Sequence, residues 1–155
     1  MNMILNRGAQ YTLQAMIYLA GQPPSRMVLV REMADRLGLP PHYLAKLMYP
    51  LGRAGWLESS RGRHGGYRLR GEARTLSLAQ ILSGIQSEGE KRDCLLGLKA
   101  CGDDDACVLH CHWRPVRDEL LAYLEAHSLG ELADGDSRLP DAFIPTPRRR
   151  PLQSA

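Results

Sequence analysis

Pro41-His-Tyr-Leu-Ala-Lys-Leu-Met-Tyr-Pro-Leu-Gly-Arg-Ala-Gly55, continued by Trp56-Leu-Glu-Ser-Ser60-Arg-Gly-Arg-His-Gly-Gly-Tyr67-Arg-Leu-Arg70, is the stretch that decides the fold. In its first half Tyr43, Leu44, Leu47, Met48 and Leu51 recur at helical spacing up to Gly55. Pro41 suits the first position of that helix, where a missing N–H leaves nothing unsatisfied. In its second half Gly55–Ser60 and Tyr67–Arg70 read as two short strands around a glycine-rich basic loop, Arg61 to Gly66. A helix running straight into a basic hairpin predicts a reading helix with a wing.

Working outward, Leu13, Ala15, Met16, Ile17, Leu19 and Ala20 give an amphipathic helix over 9–20, ended by Gly21 and the Pro23-Pro24 pair. Val30–Leu37 is a second, short helix stopped by Gly38, the residue type best able to take a left-handed backbone. Helix, tight turn, helix is the order of a helix-turn-helix. The expected fold is therefore mainly α with a small β-hairpin wing, a winged helix-turn-helix over residues 1–75. Downstream, Ser77-Leu-Ala-Gln80 has the form of a capping box and opens a helix through Ile81, Leu82 and Ile85. A cysteine-rich segment follows, and Val116, Leu120, Leu121 and Leu124 mark a further helix with Pro115 near its start or at a kink. Ser128-Leu-Gly-Glu131 is a second capping box, which makes 76–133 the next unit. Residues 134–155, rich in Pro, Arg, Ser and Asp, predict a flexible tail.

The net charge of +3 hides a polarity. Residues 1–80 hold eleven Lys/Arg against four Asp/Glu, whereas 81–144 hold six against thirteen. A basic first half is expected of a surface that faces a polyanion, because phosphate neutralisation supplies most non-specific affinity for nucleic acid. No run approaches the ~18 apolar residues that read as a membrane-spanning helix, and Met1–Gln10 lacks the pattern of a secretory leader. The expectation is a cytoplasmic protein with duplex DNA as partner and no membrane association. His42, Tyr43 and Lys46, in the first turns of the third helix, are the candidates for base or phosphate contact. Ser59, Ser60, Arg61 and Arg63 are the wing candidates, beside His64, with Gly65 and Gly66 letting the backbone approach a sugar-phosphate edge. Tyr43 could equally pack on the first helix, and Trp56 and Trp113 read as core.

Four cysteines stand at Cys94, Cys101, Cys107 and Cys111, spaced Cys-x6-Cys-x5-Cys-x3-Cys. In a reducing compartment they read as metal ligands or redox groups before disulfides. Thiolates bind iron–sulfur clusters or zinc, and structural zinc usually shows two tight Cys-x2–4-Cys pairs, which this chain lacks. If Cys107 begins a helix, His110 and Cys111 project over the same face, so either could complete the coordination. With no Cys-x-x-Cys and no nucleophile–base pair, an enzyme is not expected. The alternatives are a cluster-free thiol or zinc-dependent winged-helix regulator and, behind these, a thiol redox protein.

The Arg61-Gly-x-x-Gly-Gly-Tyr67 wing, the helix-turn-helix before it and the three cysteines Cys94, Cys101 and Cys107 resemble the Rrf-two family of bacterial regulators over residues ~3–133. The resemblance implies a homodimer, paired by the helix after the cysteines, that reads a pseudo-palindromic operator. It also implies an iron–sulfur cluster on Cys94, Cys101 and Cys107, with His110 where the family's assembly regulator has its histidine ligand. The chain departs from the pattern in three places. The first cysteine spacing is one residue longer than in the assembly regulator, Cys111 has no counterpart among the usual ligands, and Gln10 stands where the nitric-oxide sensor has a carboxylate ligand. The fourth ligand stays open, with His110 first, Cys111 second and Gln10 or water behind. A 2Fe–2S cluster is expected ahead of 4Fe–4S. Cluster loss, oxidation or nitric oxide would then shift the two recognition helices and change operator affinity.

Overall fold

The computed structural model describes residues 5–62, 65–85 and 107–134; Arg63, His64, Cys94, Cys101 and the expected flexible tail beyond Asp134 lie outside them. Helix α1 (Arg7–Ala20) begins two residues before the predicted start, because the Asn6 side chain accepts the Ala9 N–H at 2.8 Å and caps it. Its buried face is Ala9, Thr12, Ala15, Met16, Leu19 and Ala20. Helix α2 (Val30–Leu37) ends where Gly38 takes a left-handed backbone, φ 66°, and returns its N–H to the Ala34 carbonyl. Helix α3 (Pro41–Arg53) has Pro41 in its first turn and buries Leu44, Met48 and Leu51. It stops two residues short of Gly55, whose own φ of 81° completes the turn into the wing.

Strands β1 (Leu57–Ser60) and β2 (Gly66–Leu69) pair antiparallel, Leu57 opposite Leu69 and Ser60 opposite Gly66. Val28 adds a single bridge on the far edge of β2, exchanging two 2.8 Å backbone bonds with Tyr67. The hairpin is thereby tied to the segment before α2. A 3₁₀ turn (Gly71–Thr75) leads to α4 (Leu78–Ile85); α5 (His110–Ala126) and α6 (Leu129–Asp134) complete the described chain. Both capping boxes form, Ser77 with Gln80 and Ser128 with Glu131.

Helix α1 is the hub, packed against α2, α3, α4, α6 and β2. Met16, Met33, Leu44, Met48, Leu51, Ile81 and Leu129 are fully buried, and each such side chain contributes roughly 1.5–3 kcal/mol relative to exposure. Ile81 and Leu129 belong to this same core cluster, so the core does not end at residue 75. Helix α6 returns to the body: Leu129 N–H bonds the Leu76 carbonyl at 2.9 Å, and Leu78 N–H bonds that of His127 at 3.0 Å. Arg74 fastens the seam by donating to the Ala20 carbonyl at 2.5 Å and to Asp134 at 2.6 Å. Helix α5 is different: among the described residues its only buried side chain is His110, and Val116, Leu121 and Tyr123 are exposed.

Candidate nucleic-acid interface

The three buried leucine and methionine positions of α3 fix which side of the helix faces out. His42 and Lys46 stand on that outer side, exposed. Tyr43 is shared between the two roles open to it in the sequence: its ring meets Tyr11 of α1 edge-on, centroids 5.9 Å apart, while the side chain stays 40% exposed. A Cβ on Gly8 would come within 3.2 Å of its hydroxyl, so the lack of a side chain there makes room for Tyr43. The outer side also carries Tyr49, 64% exposed, and Arg53, which the sequence reading left out. Their signal was present in the spacing, since 42, 46, 49 and 53 fall on one helical stripe.

In the wing, Leu57 points into the core and Glu58 pairs across the strands with Arg68 at 2.8 Å. Ser59, Ser60 and Arg61 are exposed. Gly65 and Gly66 have an internal reason to be glycine. Gly65 is buried, and a Cβ on it would lie 2.3 Å from the Ser60 carbonyl oxygen. Gly66 has φ 130° and sits where a Cβ would be 2.2 Å from the Val28 oxygen. The pair closes the neck of the hairpin against β1 and the Val28 bridge, which leaves the exposed Ser59–Gly62 stretch to meet solvent. Tyr67, the last residue of the wing motif, packs on the core. Trp56 does likewise at the base of the wing; its ring comes so close to α4 that a Cβ on Gly84 would stand 2.3 Å from it.

The charges divide into two groups. Arg26 pairs with Glu32, Arg68 with Glu58, and Arg74 with Asp134. Such exposed pairs contribute about 0–1 kcal/mol each, so their larger effect is on which cations remain available. Lys46, Arg53 and Arg61 have no ion-pair partner among the described residues, and α3 contains no Asp or Glu at all. Part of the positive surplus of the first 80 residues is therefore displayed on α3 and the wing, the rest lying at Arg7, Arg31, Arg36 and Arg70.

At the other end of the chain, Cys107 lies in a turn and does not begin a helix as the spacing allowed; α5 starts at His110, whose N–H bonds the Cys107 carbonyl at 2.9 Å. Cys107 is half-buried, His110 is 8% exposed and Cys111 is exposed. Cys107 and His110 thus stand at the two ends of one backbone turn, and thiolate and imidazole are donor types that soft and borderline metals accept. Cys94 and Cys101 lie outside the described residues. Gln10 donates its side-chain N–H to the Leu5 carbonyl at 3.1 Å, and Trp113 is half-buried on α5.

Residues 5–135 match the Rrf2 family, described as an iron-dependent transcriptional regulator. The chain is 28% identical over 137 residues to the HTH-type transcriptional regulator IscR of Escherichia coli O1:K1, covering 88% of this chain and 84% of the relative. Among solved structures it is similar to CymR, the global cysteine regulator of B. subtilis, with TM-score 0.67 and 26% identity over 83% of this chain and 95% of the other. It is also similar to IscR of T. potens, with TM-score 0.64 and 28% identity over 89% and 87%.

Proposed function

The chain belongs to the Rrf2 family of transcriptional regulators, and on that premise we propose that it binds operator DNA as a homodimer under the control of an iron–sulfur cluster. The observation that carries the DNA part is the acid-free outer side of α3 together with the exposed Arg61 of the wing. His42, Tyr43 and Lys46 contact base edges and phosphates; Ser59, Ser60, Arg61 and Arg63 contact the flanking backbone, with Gly65 and Gly66 shaping the wing that presents them. The second subunit docks on α5, whose exposed Val116, Leu121 and Tyr123 supply an apolar surface.

Cys94, Cys101, Cys107 and His110 hold the cluster, with Cys111 as the alternative fourth ligand, and the 2Fe–2S form is favoured. The cluster supplies redox and nitric-oxide sensitivity when bound. The protein's part is transmission. Helix α5 packs on α4 and α4 on α3, so an altered start of α5 reaches the reading helix through two packed contacts. Freshly purified anaerobic protein is expected to show visible absorption with matched iron and sulfide. Cys101→Ala should lose the colour, and Arg61→Ala should keep it while weakening DNA binding. A colourless protein after anaerobic reconstitution would overturn the cluster. A second reading, regulation by free thiols, is favoured by the exposed Cys111 and by the likeness to a global cysteine regulator.

A further inference from the structure

Helix α3 runs on for two turns beyond the residues given a DNA role above, and its outer side does not change character. From His42 the stripe continues through Lys46 to Tyr49 and Arg53. At about 1.5 Å per residue the stripe is roughly 16 Å long, against a major groove about 12 Å wide. A reading helix enters the groove by its N-terminal turns. Side chains two and three turns further on then stand level with the sugar-phosphate strand at the groove's edge. Tyr49 offers a hydroxyl donor and Arg53 a guanidinium, the chemistries that hold phosphate oxygens.

Neither side chain has an ion-pair or ring partner among the described residues. Tyr49 is 64% exposed, an unusual position for so large a ring, and forms no aromatic pair among the described residues. Arg53 sits in the last turn, where a cation also offsets the helix dipole, yet it has no acidic partner among the described residues. Arg26, Arg68 and Arg74 in the same half of the chain each have one. Pro50 lies between the two residues inside the helix. It holds its own φ fixed, which limits the freedom of the backbone that carries them.

We propose that Tyr49 and Arg53 form a phosphate clamp at the C-terminal end of α3, a second anchor on the DNA backbone that sets the tilt of the reading helix in the groove. This rests on the DNA-binding reading above. The clamp carries no sequence information, so its loss weakens all duplexes alike, whereas loss of a base contact weakens them unequally.

The test uses the full-length anaerobic protein and two 40-base-pair duplexes of unrelated sequence, titrated over a range of salt. Arg53→Gln is expected to reduce the slope of log K against log salt by about one per subunit bound. Tyr49→Phe is expected to weaken both duplexes by the same factor, about threefold to tenfold, with the slope unchanged. Thermal melts of both variants matching the parent assign these losses to contact and not to folding. A wild-type slope in Arg53→Gln, or a Tyr49→Phe loss confined to one duplex, overturns the clamp while leaving α3 as the reading helix. Failure of the parent protein to bind either duplex overturns the clamp and the DNA-binding reading together. If Lys46→Ala binds like the parent while Arg53→Gln loses slope, the clamp stands and the reading-helix roles are reassigned.

Discussion

Helices α3 and α5 are both long and both face solvent, yet they leave opposite things uncovered. Helix α3 buries Leu44, Met48 and Leu51 and shows His42, Lys46, Tyr49 and Arg53. Helix α5 buries only His110 among the described residues and shows Val116, Leu121 and Tyr123. The first is finished as a folded element and offers charge. The second offers apolar surface that water does not favour. If the proposed function holds, the contrast teaches that reading and pairing are built on different solvent-exposed chemistry, one side meeting a polyanion and the other a second copy of α5.

The finished side is most easily broken at its neck. Gly66→Ala would set a methyl group 2.2 Å from the Val28 oxygen at a backbone φ of 130°. We expect a loss of about 3 kcal/mol, read as a lowered urea midpoint, with DNA binding lost in parallel. A midpoint equal to the parent's would mean β2 can leave Val28 freely. On the unfinished side, Val116→Glu combined with Tyr123→Glu should yield a monomer in sedimentation equilibrium with helical circular dichroism retained. Because two linked half-site contacts become one, operator affinity should fall about 100-fold. A double variant that still sediments as a dimer would move pairing away from α5.

Smaller changes sharpen the contrast within the body. The Thr12 hydroxyl is fully buried without a hydrogen-bond partner among the described residues. Thr12→Val keeps the shape and removes the orphan, and should raise stability by about 1 kcal/mol in a chemical melt; an unchanged or lowered stability would show that the hydroxyl is satisfied in solution. The smallest effect lies at the α5–α6 junction. The Ser128 backbone N–H, and then its side chain, hold the Glu131 carboxyl below the usual carboxylate range, with His127 adding in the same direction against a slight desolvation. A depressed folded value means that the stabilisation is present above the unfolded value and fades as pH falls through the folded one. Glu131→Gln keeps a cap but cannot titrate, so its deficit in melting temperature relative to the parent should shrink on acidification. A deficit independent of pH would remove the carboxylate from the account.

Local signals were the legible ones. Gly38, Pro41 and both capping boxes announce helix ends through chemistry that acts within four residues, and all four stand where the sequence places them. The wing was legible too, with its strands shifted by one or two residues. What escaped depends on contacts distant in sequence. Val28 forms a one-residue bridge, too short to have a period. Leu129 stands in the sequence only as part of a capping box, and the fold carries it into the core under α1. The glycines of the wing were read as an approach to a sugar-phosphate edge, whereas the close approach seen is to the protein's own backbone at Ser60 and Val28. Of the expected ligands, Cys107, His110, Cys111 and the lower-ranked Gln10 lie within the described residues, and Cys94 and Cys101 outside them. The early start of α5 that would have set Cys107 on a helix is replaced by a turn.

The Ser77–Ser128 bridge, with its bond from Leu78 to the His127 carbonyl, joins the root of α4 to the foot of α5. Between those two points α4 stays packed on α1 and α3, with Ile81 in the shared core, so both ends of the stretch are held to the body. Lengthening a closed excursion is cheap, about 0.6 kcal/mol for each doubling of a flexible loop. The bonds at Ser77–Ser128 and Leu78–His127 hold the start of α4 and the end of α5 together whatever lies between them. A lineage built this way can vary the length of chain between α4 and α5 while inheriting its helix-turn-helix and wing unaltered.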